Sequence, residues 1–356
     1  MSYIKKAAKY IAIAAIVFIA YLVLKPNDVW PAKWIPKESP GFTGDYAANE
    51  LLASLEQTST LPYNGPEDIA IDKEGNIYGG TIEGKILKYA KGSKKFSIFA
   101  DTKGRPLGLD FDTSGNLIVA DANRGLLSID TAGKITFLTS MSDSIPFKFT
   151  DDIEVGSDGK YYFSDASKQF TVEEYKMDLF AHHPNGRLLC YDPFTKTTTT
   201  LLDSIYFANG VAVSDSSDFV LVVQTSEFNI LKYWLKGPKA GQKEIILDNL
   251  PGFPDGISKG ENGIYWIAVA SPRDALLDKL SPHPRTRKYI ANLPKPLLPA
   301  PKPYGMVLGI DANGKILKNL QDTKGPFSPI TSVQEENGIL YLGSLTAPAF
   351  GILKKY

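Results

Sequence analysis

An almost unbroken apolar run, Tyr10 to Leu24, opens the chain. Lys5, Lys6 and Lys9 precede it and Lys25-Pro26 close it. Counted from Ala7, a helix of that length spans about 27 Å, enough for a hydrocarbon core. A cleaved signal peptide is the competing reading, but no small-x-small site follows Leu24. The pattern therefore predicts an uncleaved signal anchor with a cytoplasmic N-terminus, which puts the rest of the chain outside or in a lumen. Residues 26–46, rich in Pro, Trp and Lys, read as a tether near the membrane surface.

Beyond the tether the pattern changes to alternation. A Gly/Asp/Asn turn followed by an apolar-aromatic strand recurs six times, beginning at Gly75, Gly115, Gly159, Asp218, Gly263 and Gly338. The separations of 40, 44, 59, 45 and 75 residues suit four-stranded blades, two of them carrying insertions. Each copy follows a short apolar strand, such as Ile69-Ala70-Ile71 or Val211-Ala212-Val213, and most precede a third strand such as Gly186 to Tyr191. Residues 47–356 are thus predicted to form an all-β, six-bladed propeller behind an N-terminal transmembrane helix. A β-sandwich, the alternative, gives no reason for sixfold similarity. Blade six runs out of chain after three strands, so a strand from about Ala47 to Gln57 should close the ring and remove an exposed edge.

Composition narrows the class without naming a chemistry. At 356 residues, 43% hydrophobic and 22% charged with zero formal net charge, the chain can bury a large core and shows no basic excess for nucleic acid. Its single cysteine, Cys190, excludes an internal disulfide.

Candidate chemistry comes from aligning the copies. Just before the first strands stand Glu67, Asp151, Asn209 and Asp255; blade two has Arg105-Pro106 there and blade six Pro329-Ile330-Thr331. First strands line a propeller's channel, so these oxygens should converge at one end of the axis. At about 4 Å each like-charged pair costs roughly 4 kcal/mol at an effective dielectric of 20. Such a ring needs protons or a cation, and oxygen donors without His or Cys select Ca²⁺. Asp-Gly and Asn-Gly are also common turn dipeptides, which is the plainer explanation for any one of them. Asp68 and Asp152 directly follow two of these residues and could hold a second ion or simply accept turn N–H groups.

Several motifs resemble the strictosidine synthase-like family, which includes the adipocyte plasma membrane-associated proteins. They are Gly-Pro-Glu at 65–67, Arg-Pro-Leu-Gly at 105–108, Gly-Arg-Leu-Leu at 186–189, Phe-Ala-Asn-Gly-Val at 207–211 and Pro-Gly-Phe-Pro-Asp at 251–255. The resemblance extends to paraoxonase/arylesterases and gluconolactonases, six-bladed propellers with catalytic calcium on the axis. It implies that Glu67, Asn209 and Asp255 are calcium ligands and that Asp151 stands where relatives usually carry Asn. It also implies a structural calcium at Asp68 and Asp152. The plant synthase's catalytic glutamate falls at Thr331, which has no carboxyl to deprotonate an amine, so the Pictet–Spengler condensation is excluded.

The function these readings favour is a membrane-anchored, calcium-dependent hydrolase of a small ester or lactone, arylesterase-like. Asp255 would be the general base or nucleophile and Glu67 the second candidate. A non-catalytic, calcium-stabilised propeller that binds a partner is the alternative. Two insertions, Ser167 to Asn185 and Pro272 to Lys302, join second to third strands and should cover the metal mouth with an apolar lid. His182, His183 and Arg273 lie in or beside them and are the candidate substrate-binding residues. Gly256-Ile257-Ser258-Lys259-Gly260 matches a nucleophile elbow in letters only, because that motif needs a strand–turn–helix setting.

Overall fold

The computed structural model describes residues 2–356. Six antiparallel sheets of four strands follow one another in chain order, together with one two-stranded hairpin. The first strands are Ile69–Ile71, Pro106–Phe111, Thr150–Val155, Ala208–Val213, Gly252–Lys259 and Ser332–Glu336. The chain is a six-bladed β-propeller, with each blade running outward from its first strand to its fourth.

Alternation along each second strand explains the core. In Leu117–Asp121, Leu117 and Val119 pack toward blade one, while Ile118 and Ala120 pack toward blade three. In Tyr265–Pro272, Tyr265, Ile267 and Val269 face blade four, and Trp266 and Ala268 face blade six. Side chains of a strand point alternately to its two faces, so every blade contributes to two interfaces. An apolar layer separates each neighbouring pair of blades, the last closing blade six on blade one through Phe350, Ile69 and Leu87.

Ring closure comes slightly later than the sequence suggests. The fourth strand of blade six is Glu56–Ser59, paired antiparallel with Ala349–Leu353. The residues before it instead dock on the outer strand of blade five. There Leu52 N donates to Gln321 O at 2.9 Å, Asn49 Oδ1 accepts from Gln321 N at 2.9 Å, and the Leu52 side chain is buried. Leu52 fills the groove between blades five and six, which pushes the closing strand downstream.

At the N-terminus, Ser2–Leu24 forms a single helix, the one element among the described residues long and apolar enough to cross a membrane. The segment after it packs on the two insertions. Val29 is buried against Phe170, Phe180 and Leu298 of the two insertions, and the Trp34 ring stacks on His182 at 3.9 Å. Ala32 N donates to Ala181 O at 2.8 Å, and Arg273 Nη2 donates to Lys37 O at 2.8 Å. Residues 27–42 thus form a strap across the insertion face.

Candidate metal centre and the cavity above it

Asp151, Asn209 and Asp255 lie inside their first strands rather than before them. In each of those strands the pairing slips by a bulge, between Thr150 and Ile153, Ala208 and Val211, and Pro254 and Ile257. A bulge re-aims side chains, which turns these residues to the channel. The glycines after two of them answer to crowding rather than to a turn. A Cβ on Gly210 would lie 2.2 Å from Ile257 N, and one on Gly256 would lie 2.5 Å from Thr331 O. First strands of neighbouring blades approach there too closely for any side chain.

Four candidate ligands face one small volume. Glu67, Asp151, Asn209 and Asp255 line the bottom of a cavity of about 190 Å³. The first three, with Thr331, also line a channel of about 280 Å³ running down the axis. The ring is therefore the partition between an upper cavity and a lower channel. Burial, reinforced by Asp151 and Asp255, holds the Glu67 carboxyl well above the usual range. Burial and Asp255 do the same to Asp151, against the pull of the Arg105 guanidinium. Burial raises Asp255 to about 7, with the Asn209 amide opposing. Arg105, its Nη1 donating to Gly65 O at 2.9 Å, is a counter-charge beside the ring whose position in the column signalled it.

These residues fit a hard divalent cation. Every donor is oxygen, and Asp151 Oδ2 is buried without a hydrogen-bond partner. Among the described residues no group of three or more Asp, Glu, His or Cys side chains stands close enough to hold a metal ion as placed.

Asp68 and Asp152 point into the channel but are engaged with backbone. Asp68 Oδ2 accepts from Leu109 N at 2.9 Å, and Asp152 Oδ2 accepts from Val211 N at 2.7 Å. Asp110 and Glu154 repeat the pattern one step down, accepting from Val155 N at 2.7 Å and Val213 N at 3.0 Å. The inner edge of a first strand has no strand partner, so a carboxylate from the preceding blade satisfies its N–H groups. One of the two sequence readings had Asp68 and Asp152 accept turn N–H groups; the donors are instead first-strand amides of the next blade. Asp110 and Glu154 escaped notice because they sit inside alternating strands.

Both insertions do cover the mouth. Tyr175 and Leu179 come from the short helix Tyr175–Ala181, and Leu277 comes from Ala275–Leu280. With Leu107, Phe149, Phe207 and Phe253 they make an apolar cavity over the acidic floor. Burial and the nearby Asp255 raise the Tyr175 phenol, so it stays protonated as a donor. Its position over the ring comes from the helix, which the sequence reading of that insertion did not specify.

The other candidate substrate-binding residues are elsewhere. His182 is buried, its Nε2 2.9 Å from Glu227 Oε1, and burial lowers its pKa. His183 donates to Trp30 O on the strap. Arg273 is buried over the Phe228 ring, with Nε donating to Asp278 Oδ2 at 3.1 Å and Nη1 to Asn249 Oδ1 at 2.7 Å. All three fasten lid and strap, and none lines the cavity over the ring. Their loop origin placed them near the mouth, while the strap that occupies them lies far away in sequence.

Comparison with known proteins agrees with this architecture. The family described as Strictosidine synthase matches residues 151–238, and its companion, Strictosidine synthase-like, N-terminal, matches residues 44–89. Protein STRICTOSIDINE SYNTHASE-LIKE 3 of Arabidopsis thaliana is 32% identical, over 89% of this chain and 87% of its own. The bovine (Bos taurus) adipocyte plasma membrane-associated protein is 32% identical, over 95% of this chain and 87% of its own. Among solved structures, a gluconolactonase from Xanthomonas campestris superposes with a TM-score of 0.61 at 15% identity, covering 92% of this chain and 98% of its own. A calcium-binding protein, regucalcin, from Agrobacterium tumefaciens gives 0.56 at 13%, covering 82% and 92%. At those identities the two structures speak for the fold, whereas the sequence relatives extend along nearly the whole chain. By fold, motif and full-length similarity together, the chain belongs to the strictosidine synthase-like family.

Proposed function

We propose that this protein is a calcium-dependent hydrolase of uncharged esters or lactones, anchored in a membrane by its N-terminal helix with the propeller on the non-cytoplasmic side. One observation carries the reading: an apolar cavity whose floor is three carboxylates and an amide. Glu67, Asp151, Asn209 and Asp255 would hold the ion. A calcium ion there supplies Lewis-acid polarisation of a substrate carbonyl. Asp255, whose carboxyl lines both the ring and the cavity, is the first candidate for base or nucleophile; Glu67 is the second. The Tyr175 O–H, facing the same cavity, orients an oxygen of the substrate. The acidic floor repels anions, and the apolar walls exclude water and select uncharged, apolar groups.

Names of related folds support the reading: one neighbour is a gluconolactonase and another is called calcium-binding. Strictosidine formation is not part of the proposal. Thr331 is in the cavity wall with its hydroxyl donating to Glu67 O at 3.0 Å, and it offers no carboxylate to take a proton from an amine. Turnover of aryl esters, lactones and phosphotriesters, with calcium and with EDTA, tests the proposal. Calcium-dependent hydrolysis abolished by Asp255→Asn is the expected result. Full thermal stabilisation by calcium with no turnover on any substrate would instead support a non-catalytic binding propeller.

A further inference from the structure

The anchor helix is fastened to the lid. Asn292, buried in the second insertion, donates from Nδ2 to Leu22 O and Lys25 O, each at 2.8 Å, so it caps the helix's last turn. Asn27 Nδ2 returns the link to Asn292 Oδ1 at 2.7 Å and to Lys288 O at 3.1 Å. Two side-chain amides thus fix the exit of the apolar helix against the insertion that roofs the cavity.

The outer face of the same lid is apolar and basic. Trp30 and Ile35 on the strap and Leu276 and Leu297 on the second insertion are at least 60% exposed. Residues 272–302 contain seven Lys or Arg against two Asp, in a chain of zero formal net charge. The two aspartates are already engaged, Asp274 with Lys302 and Asp278 with Arg273. Lys279, Arg285 and Lys295 are exposed and outside every ion pair among the described residues. Exposed apolar side chains interleaved with unpaired cations are the composition of a surface that lies at an anionic lipid interface.

A smaller cavity of about 70 Å³ adjoins the one over the ring, beneath the lid and against the strap's Trp34. It shares Lys176, Leu179, Phe253, Leu277 and Pro299 with the walls of the larger one.

From these features we infer that the lid face rests on an anionic bilayer, which holds the mouth side of the propeller against the lipid. The inference rests on the anchor reading but not on hydrolysis. Its occupant is the lipid surface, because Asn292 of the lid is hydrogen-bonded to the end of the helix that enters it.

The test uses the full chain reconstituted in phosphatidylcholine vesicles with and without phosphatidylserine. Leu276→Cys, Leu297→Cys and Phe194→Cys variants carry an environment-sensitive fluorophore; Cys190 is buried and Phe194 lies in a third-to-fourth-strand loop on the opposite face. Quenching by lipids bearing a shallow nitroxide should be several-fold stronger at 276 and 297 than at 194. Combined Lys279→Glu, Arg285→Glu and Lys295→Glu substitution should weaken it in anionic vesicles. Equal quenching at all three positions in a chain that floats with vesicles and resists carbonate extraction overturns the inference alone. A chain released by carbonate overturns the anchor reading and this inference with it.

Discussion

Replacing Asp151 by asparagine should raise stability without calcium and lower the stabilisation that calcium confers. The carboxyl is surrounded by protein, carries an unpartnered Oδ2, and is raised by burial and by Asp255. In the unfolded chain its pKa is close to 3.8. An acid ionised when unfolded but held protonated in the fold costs up to about 4 kcal/mol at pH 7, at about 1.4 kcal/mol per pH unit. The sign follows: the raised group penalises the fold increasingly as pH climbs above its unfolded value. Asparagine keeps the shape and one oxygen donor and removes that penalty. For a propeller of this length the unfolding entropy converts it to a rise in Tm of up to about 6 °C. The assay is thermal unfolding in EDTA at pH 4 and pH 7, then in saturating calcium. The variant should match the parent at pH 4, exceed it at pH 7 in EDTA, and gain less from calcium. A variant less stable in EDTA at both pH values, with an unchanged calcium shift, would refute the reasoning, since that is the signature of a packing role.

Three further outcomes follow from the same geometry. Gly210→Ala should destabilise by about 2 kcal/mol or more, read as a lower urea midpoint, because its Cβ would meet backbone of the next blade at 2.2 Å. Asp165→Asn should cost about 3–5 kcal/mol in the same assay, since it leaves Arg187, 1% exposed, without its carboxylate partner. Trp34→Ala removes the ring stacked on His182 and should cost about 1–3 kcal/mol locally, seen as faster amide exchange in residues 27–42 with the blades unchanged.

The blades were legible in the sequence because their signals are local. Period-two alternation and Gly/Asp/Asn turns lie within a few residues of each other, and the insertions appear as gaps in an otherwise regular repeat. The grouping of Glu67, Asp151, Asn209 and Asp255 was legible for the same reason: they occupy one register of that repeat, and all four line one cavity. What the sequence hid is set by distant partners. Arg273, His182 and His183 sit in the right loops, yet Asp278, Asn249, Glu227 and the strap's Lys37 and Trp30 carbonyls occupy them. The bulges also stayed hidden, and they allow adjacent Asp151 and Asp152 both to reach the channel where strict alternation would have divided them.

Calcium titration of the metal-stripped chain by calorimetry, beside Glu67→Gln, Asn209→Ala and Asp255→Asn variants, tests the axial ring most directly. The ring predicts binding in the parent that weakens at least tenfold, about 1.4 kcal/mol, in every variant, with protons released on binding because raised carboxyls must ionise. Binding that survives all three substitutions unchanged, or no binding by the folded parent, would contradict it.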